Sequence, residues 1–573
     1  MTPDRLGWLG PAVTSLAAAV FLAPMAVVST GTGAAADRTY YVPVTKAWTV
    51  NGHGYGHGRG MSQYGAQGAA LQGLTYSQIL SFYYPRTTLT GAKGPVRVLI
   101  SADWSSDVQV RPHRGLRVRD LRDRTSWRLP VRPRINRWRM APLSDGTTAV
   151  QFHNGSGWNG WQVPDGRGTL RSDGEFYANG PVTLLVPGGG DVVAKRYRGA
   201  MRSVRPYPGA VVRDTVNVLP LDQYVRGVVP YEMPASWKGQ ALRSQAVAAR
   251  TYAAWQRAQN RARYYQICDT TACQVYGGLD AEQPSTNTAV QATARRILTY
   301  RGDPAFTQFS ASSGGWTADG NTAYLRAKRD PYDNFPGNPV HHWSANLNAA
   351  SLEKAYPHIG RLIDVQVTSR DGHGMWNGRV RQVVLDGTSG TAYMTGDDFR
   401  WHFGLRSTWF NIDPTPIIAR WRSIGGPRSS VGTPVSGEFS LSTGSAQRFT
   451  LGRIYWSAQT GAREVKGPIL TAYRRWGGPT SNLRWPKTGL MNAADGGHKV
   501  KFMRGKIYTI SGVGAHVVYG PILHRWTRMG AAGSWLGYPT TNVDRISGGL
   551  RARFQHGAIS WDRSSDTYQV TRF

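Results

Sequence analysis

A glutamate set between two prolines is the residue in this chain best suited to acid–base chemistry. Glu232 lies in Gly227-Val228-Val229-Pro230-Tyr231-Glu232-Met233-Pro234-Ala235-Ser236-Trp237. Pro230 and Pro234 bar a regular helix there, which predicts a stiff, kinked approach segment. The helix expected just behind it favours an ionised carboxylate, whereas Val229, Tyr231, Met233 and Trp237 favour the neutral acid. Where the apolar neighbours win, Glu232 is a general acid near neutral pH. On spacing alone, a cap or an arginine pair is the commoner fate of such a residue. Elimination adds weight, because the other glutamates are Glu175, Glu282, Glu353, Glu438 and Glu464. Glu175 follows a turn, Glu282 precedes a proline loop, Glu353 sits in a short polar helix, and the last two fall in C-terminal repeats. Aspartates such as Asp222 and Asp269 stay open as partners.

Other polar residues group into two stretches. Asn51-Gly52-His53-Gly54-Tyr55-Gly56-His57-Gly58-Arg59-Gly60-Met61-Ser62-Gln63-Tyr64-Gly65-Ala66 alternates glycine with side chains, so its backbone can approach a ligand closely. It lacks the Gly-Lys-Ser/Thr ending of a phosphate loop. His53 and His57 could bind metal, but a pair four apart without a helix is weak evidence. The second stretch, Ser310-Ala311-Ser312-Ser313-Gly314-Gly315-Trp316-Thr317, offers hydroxyls to sugar hydroxyls, or is a plain turn. No Gly-x-Ser-x-Gly elbow surrounds its serines, which argues against a serine hydrolase.

The elements that must position these groups are of mixed type. Ala241–Gln259 is rich in helix formers, and Leu242, Ala246, Ala249 and Ala253 form one apolar face. Ser62 is a cap for a helix running to about Gln72, and Tyr76–Tyr84 reads as a second helix ending at Pro85. Val96–Ile100, Val182–Val186 and Val211–Val218 read as strands, with hairpin turns at Asp145-Gly146, Asn154-Gly155 and Asp165-Gly166. Trp127, Trp138, Trp158 and Trp161 suit either a sugar-stacking surface or core packing. Asp269–Gly278 reads as a loop walling a cleft, Thr286–Leu298 as a helix, Pro304–Phe309 as a strand, and 330–411 as α/β. The fold class is α+β.

The run Val218–Pro234, followed by Ala241–Tyr252, resembles the SpoIID/LytB family. Enzymes of that family are lytic transglycosylases of peptidoglycan, and the resemblance sets their catalytic glutamate on Glu232. Some members instead modify a partner amidase. The resemblance extends to Gly56–Ala66 and to Ser312–Gly315, and it implies substrate-binding roles for Gln245, Arg250, Ser312, Ser313, Gly314, Gly315, His57, Ser62 and Gln63. In the usual family order the Gly-His-Gly segment closes the domain, whereas here it comes first. This implies a permuted arrangement, with 51–88 packing beside the chain end near 410.

The chain has 573 residues, net charge +34 and a pI near 10.5, enough for several domains and strongly attracted to polyanions. Residues 12–28 are apolar and are followed by Ala34-Ala35-Ala36, which reads as a secretory signal peptide over 1–36. Export argues against nucleic acid as the partner and for anionic wall polymers. Cys268 and Cys273 fit a local disulfide in an oxidising compartment. Some relatives of the resembled family hold zinc here with a nearby histidine, but none lies between His153 and His341, so no metal and no cofactor is expected.

The tail repeats. Phe449, Phe502 and Phe554 are 53 and 52 apart, as are Gly452, Gly505 and Gly557, while Pro434, Pro486 and Pro539 are 52 and 53 apart. These stretches resemble LGFP repeats of wall-associated actinobacterial proteins, which implies either envelope anchoring or a passive spacer. The expected organisation is a SpoIID-like domain over 37–411, comprising the segment 51–88 and a main body 95–411, then repeats over 415–573. The function so implied is cleavage of MurNAc–GlcNAc linkages to 1,6-anhydro products by a secreted enzyme held at the cell wall; the alternative is a non-catalytic enhancer of an amidase.

Overall fold

A computed structural model describes residues 39–190 and 192–573; the signal-peptide reading lies outside them. Among the described residues no helix is long and apolar enough to cross a membrane.

The chain enters through three short strands that are stitched into distant parts of the body. β1 (Thr39–Tyr41) pairs antiparallel with Leu362–Arg370. β2 (Ala47–His53) lies between His342–Asn348 and Phe410–Ile412, with Val50 opposite Ile412. β3 (Met61–Ser62) pairs parallel with Phe309–Ser310. Helices α1 (Gln63–Leu71) and α2 (Tyr76–Tyr83) follow, near the expected bounds. The Ser62 side chain accepts from the Gly65 N–H, and Thr75 closes a reciprocal cap with Gln78, so both helix starts have satisfied donors.

A seven-stranded and a six-stranded sheet then form from residues 95–220, the first completed by Ile267–Cys268. The Asp145-Gly146 and Asn154-Gly155 turns join Arg137–Pro142 to Thr148–His153 and that strand to Trp158–Gly160. Asp165-Gly166 turns within an irregular stretch and joins no strand pair. The strand placed at Val211–Val218 starts later, at Asp214, and runs to Pro220.

Two short helices, α3 (Leu221–Arg226) and α4 (Val229–Glu232), lead to the long α5 (Gly239–Gln259). Pro230 is accommodated because it falls in the first turn of α4, where its missing N–H costs nothing. The stretch at Glu232 is thus a single helical turn, where the sequence had suggested a non-helical one. α5 buries Leu242, Ala246, Val247, Ala249 and Ala253 completely, and its small residues let α1, α2 and α6 (Pro284–Ala292) pack closely against it. α6 stops well before Leu298. The Thr293 hydroxyl bonds back to Ala289 O at 2.9 Å, and Arg295 has φ +63°. Arg296–Tyr300 then runs as a strand beside Thr88–Gly91, since Ile297 and Thr299 are β-branched. The strand placed at Pro304–Phe309 is broken likewise, with only Asp303–Pro304 and Phe309–Ser310 extended in ladders.

Residues 342–412 build a second core with β1 and β2, around Trp48, Val50, Leu347, Val365, Val367, Leu385, Phe399 and Phe410. Beyond it come three repeated units, each a helix followed by a four-stranded antiparallel sheet, with helices at Pro416–Ser423, Gly467–Arg475 and Gly520–Arg528. The marker residues of the period meet one another: Pro434 bridges Phe449, Pro486 bridges Phe502, and Pro539 bridges Phe554. Apolar side chains of adjacent units share cores; Tyr455 and Val465 join Tyr473, Trp485 and Phe502. Such stacking is how single repeats bury their apolar faces.

Candidate functional site

A cleft of about 430 Å³ runs past Glu232. Its walls come from widely separated stretches: Tyr55, Gly56, His57 and Gln63 from the N-terminal segment, Tyr252 from α5, Thr271–Val275, Gln308–Ala311, and Arg400 with Trp401. Cys268 and Cys273 are joined as a disulfide, closing the loop whose tip forms one wall.

Glu232 ends α4, so its backbone is held by bonds to Val228 O and, through Met233, to Val229 O. Its side chain receives one hydrogen bond, from Gln63 Nε2 to Oε2 at 2.9 Å. Burial pushes the carboxyl up from 4.5 to about 7, against the opposing pull of the Gln63 bond. The group is therefore substantially protonated at neutral pH and can donate that proton. No other carboxylate occurs among the described residues lining the cleft. Asp222 is bonded to Arg250 Nε at 2.7 Å and the Arg295 N–H at 3.1 Å. Asp269 accepts the Ser101 N–H at 3.1 and 3.2 Å. Neither faces the cleft. Among the remaining glutamates, Glu175 bonds Arg119 and Arg202, Glu282 bonds Arg198, and Glu464 bonds Arg420. Glu353 accepts from Leu362 N–H and Glu438 from the Ser445 hydroxyl.

His57 sits across the cleft as a neutral donor. Its Nδ1 accepts the Arg59 N–H at 3.0 Å, which leaves the proton on Nε2. Burial, with the charges of Arg59, Arg379 and Arg400, brings its pKa down to about 3. The rim carries two exposed rings, Tyr55 and Trp401, each under a guanidinium: Arg406 lies 5.6 Å from the Tyr55 centroid and Arg400 4.6 Å from that of Trp401. Exposed rings at a polar cleft suit stacking against the apolar faces of a sugar. Ser310 contributes a buried hydroxyl without a hydrogen-bond partner among the described residues.

Of the residues the sequence marked, the cleft brings together Glu232, His57 and Gln63. The others lie behind it. Arg250 is fully buried and spends its guanidinium on Asp222, Arg296 O and Val290 O, a pin for α5 and α6 where a sugar contact had been expected. Gln245 is buried in α5 with neither amide atom partnered. Ser62, Ser312, Ser313 and Gly314 converge on a buried aspartate that the sequence reading did not mark. Asp333 accepts from Ser62 Oγ at 2.6 Å, Ser312 Oγ at 2.8 Å, and the N–H groups of Ser313 at 2.9 Å and Gly314 at 3.0 Å. Gly315 N–H bonds Ser313 Oγ at 3.2 Å, whose own proton goes to Asp330 at 2.8 Å. These hydroxyls are consumed in holding the turn against the N-terminal segment. At Gly60 that segment passes close to Gln308: the glycine has φ +68°, and a Cβ there would lie 2.0 Å from Gln308 O, so only glycine fits.

The four tryptophans lie away from the cleft. Trp138 is wholly buried against Phe152 and Trp161, Trp127 is nearly so, and Trp158 lies under Arg139. Tyr55, Arg400 and Trp401 line the cleft without having been given an individual role from the sequence, whereas Ser310 and Gln274 lie in stretches that the sequence did mark. Exposed aromatics inside polar runs were the available signal for Tyr55 and Trp401.

Residues 212–300 match the Stage II sporulation protein (SpoIID) family, and 431–481, 485–534 and 536–572 each match the LGFP repeat. The first match contains Glu232 and α5; the Gly-His segment and the Ser312–Gly315 turn fall outside it. An amidase enhancer of Bacillus subtilis is 38% identical over 135 residues, covering 22% of this chain and 17% of that protein. An uncharacterized protein of Brachyspira hyodysenteriae is 30% identical over 197 residues, 30% of this chain and 53% of its own length. Stage II sporulation protein D of Bacillus amyloliquefaciens is 29% identical over 222 residues, 34% and 61%. The chain thus spans less than two thirds of each of these relatives.

Proposed function

For a chain that carries a SpoIID domain followed by three LGFP repeats, we propose the role of a lytic transglycosylase acting on peptidoglycan glycan strands. The observation that carries this reading is the lone carboxyl of Glu232, raised to about 7, as the single acid among the described residues lining the cleft. Glycoside hydrolases ordinarily need two carboxyl groups, one to protonate the leaving oxygen and one to attack or to activate water. A lytic transglycosylase needs one. Glu232 as acid protonates the oxygen leaving C1 of MurNAc. The resulting carboxylate takes the proton from the same sugar's C6 hydroxyl, whose oxygen closes on C1 as a 1,6-anhydro ring. No water enters, and Glu232 is reprotonated in the process. Neutral His57 offers Nε2–H to a substrate oxygen, and Tyr55 and Trp401 stack on flanking sugars.

The relation of β2 to Phe410–Ile412 supports a permuted domain, with 51–88 completing a SpoIID-like unit of residues 37–411 from its N-terminal side. In this reading residues 1–36 export the protein, and the repeats of 415–573, with the net charge of +34, hold it at an anionic wall. Peptidoglycan and anionic wall polymers are then its partners, and nucleic acid is not.

One relative is named an amidase enhancer, and this favours a second reading, in which the chain binds wall and stimulates an amidase without cutting glycan. Mass spectrometry of peptidoglycan, intact and amidase-stripped, separates the two. Anhydro-muramyl ends from the wild type and none from Glu232→Gln support the transglycosylase. Reducing ends would mean hydrolysis, and no new ends from either substrate would move the assignment to the amidase partner.

A further inference from the structure

Histidines from two distant stretches meet beside the N-terminal segment. His53 and His342 are direct cross-strand partners of β2 and the strand His342–Asn348, and His341 immediately precedes that strand. One imidazole nitrogen of each lies within 4.8 Å of the other two. We propose that His53, His341 and His342 form a divalent transition-metal site of the class that takes Zn²⁺, separate from the Glu232 cleft.

Four features of the surroundings point to a ligand there. First, His341 Nδ1 donates to Asp333 Oδ2 at 2.8 Å, so its Nε2 carries a free lone pair, the carboxylate–histidine arrangement that orients metal-bound imidazoles. Second, His53 is buried, and its Nδ1 has no hydrogen-bond partner among the described residues, so a ring nitrogen is open to a ligand there. Third, Gly315 keeps the space beside His341 open: a Cβ there would lie 4.0 Å from Nε2 and 3.4 Å from Cε1. Fourth, Trp376 and Trp409 flank the His53 ring at centroid distances of 4.9 and 4.7 Å, giving the apolar wall that keeps imidazole ligands neutral and ordered.

The geometry closes with small movements. Two nitrogens bound tetrahedrally at about 2.0–2.1 Å from Zn²⁺ are about 3.3 Å apart, and no pair here is separated by more than 4.8 Å. His342 is the exposed member of the trio and has the freedom to swing inward, with water as the fourth ligand on the solvent side. Imidazole donors select Zn²⁺, Cu²⁺ and Ni²⁺ over Ca²⁺ and Mg²⁺. The sulfurs of Cys268 and Cys273 are bonded to each other and supply nothing. Such an ion would tie residue 53 to residues 341–342. Through Asp333, which also holds Ser62, it would brace the start of α1 where Gln63 reaches Glu232.

The test uses untagged protein, stripped with EDTA, loaded with Zn²⁺ and desalted, with metal content by plasma mass spectrometry and affinity by titration calorimetry. One Zn²⁺ per chain is expected, with a Zn²⁺-dependent rise in melting temperature. His342→Ala, at an exposed position, and His53→Asn should each weaken binding roughly tenfold or more and abolish that rise. In EDTA the His342→Ala variant should melt as the wild type does, which separates loss of a ligand from misfolding. Wild-type protein that retains no Zn²⁺, or retention and melting unchanged in both variants, would overturn the site.

Discussion

At the scale of single residues, the proposed chemistry turns on one proton. Glu232→Gln keeps the shape and the Gln63 contact but removes the acid, and should lower the rate of anhydro-end formation by roughly 10²–10⁴-fold. The carboxyl rises from 4.5 to about 7 on folding, so between those values the native state holds a proton that the unfolded chain has released. Stability from this group is therefore present below about 4.5 and declines as pH rises toward 7. Glu232→Gln should accordingly melt above the wild type at pH 8 and level with it at pH 4, measured by calorimetry. Activity carried by the protonated acid should fall above pH 7. Gln63 donates to the carboxylate and favours its ionised form, so Gln63→Leu should move that falling limb to higher pH. A limb that stays put in Gln63→Leu would detach the pH dependence from Glu232.

At the scale of elements, α1 links the site to its frame. Ser62 Oγ accepts the Gly65 N–H at 2.9 Å and donates to Asp333 at 2.6 Å, capping the helix whose first residue is Gln63. Ser62→Ala should cost about 1–2 kcal/mol of stability in denaturant titrations, and kcat should fall because Gln63 loses its anchor. An unchanged kcat at the reduced stability would make the cap purely structural. The helix bounds, its cap and the loop that walls the cleft were legible in the sequence, since caps and turns are local chemistry. The strand Arg296–Tyr300 was not. Its helix-like neighbours run straight into it, and its partner Thr88–Gly91 lies over two hundred residues earlier.

At the scale of the whole molecule, the proposed function gives the body and the repeats separate tasks. The repeats carry no carboxylate in the cleft, and the chain's net charge is +34. If attraction to an anionic wall retains the protein, co-sedimentation with sacculi should weaken as salt rises from 0.1 to 1 M, where the screening length drops from about 10 to about 3 Å. Cleavage of soluble glycan fragments should be much less salt-sensitive. Binding that is indifferent to salt would point to specific recognition by the repeats in place of bulk charge.

The sequence alone was enough to single out Glu232, the Ser62 cap, the long small-residue helix and the repeat period, because each is written in residue types at short or regular spacing. Family resemblance also marked His57 and Gln63, which do reach the cleft. Only the tertiary structure separated those from Arg250, Ser312 and Ser313, whose side chains are taken up by Asp222, Asp333 and Asp330. Polar residue types are alike in sequence whether they face a ligand or a buried partner; which one they meet is decided by how the chain folds back on itself, here between residues 17 to 28 apart. His53 meets His341 and His342 only when β2 enters the sheet beside His342–Asn348, and Asp333 meets Ser62 across 271 residues.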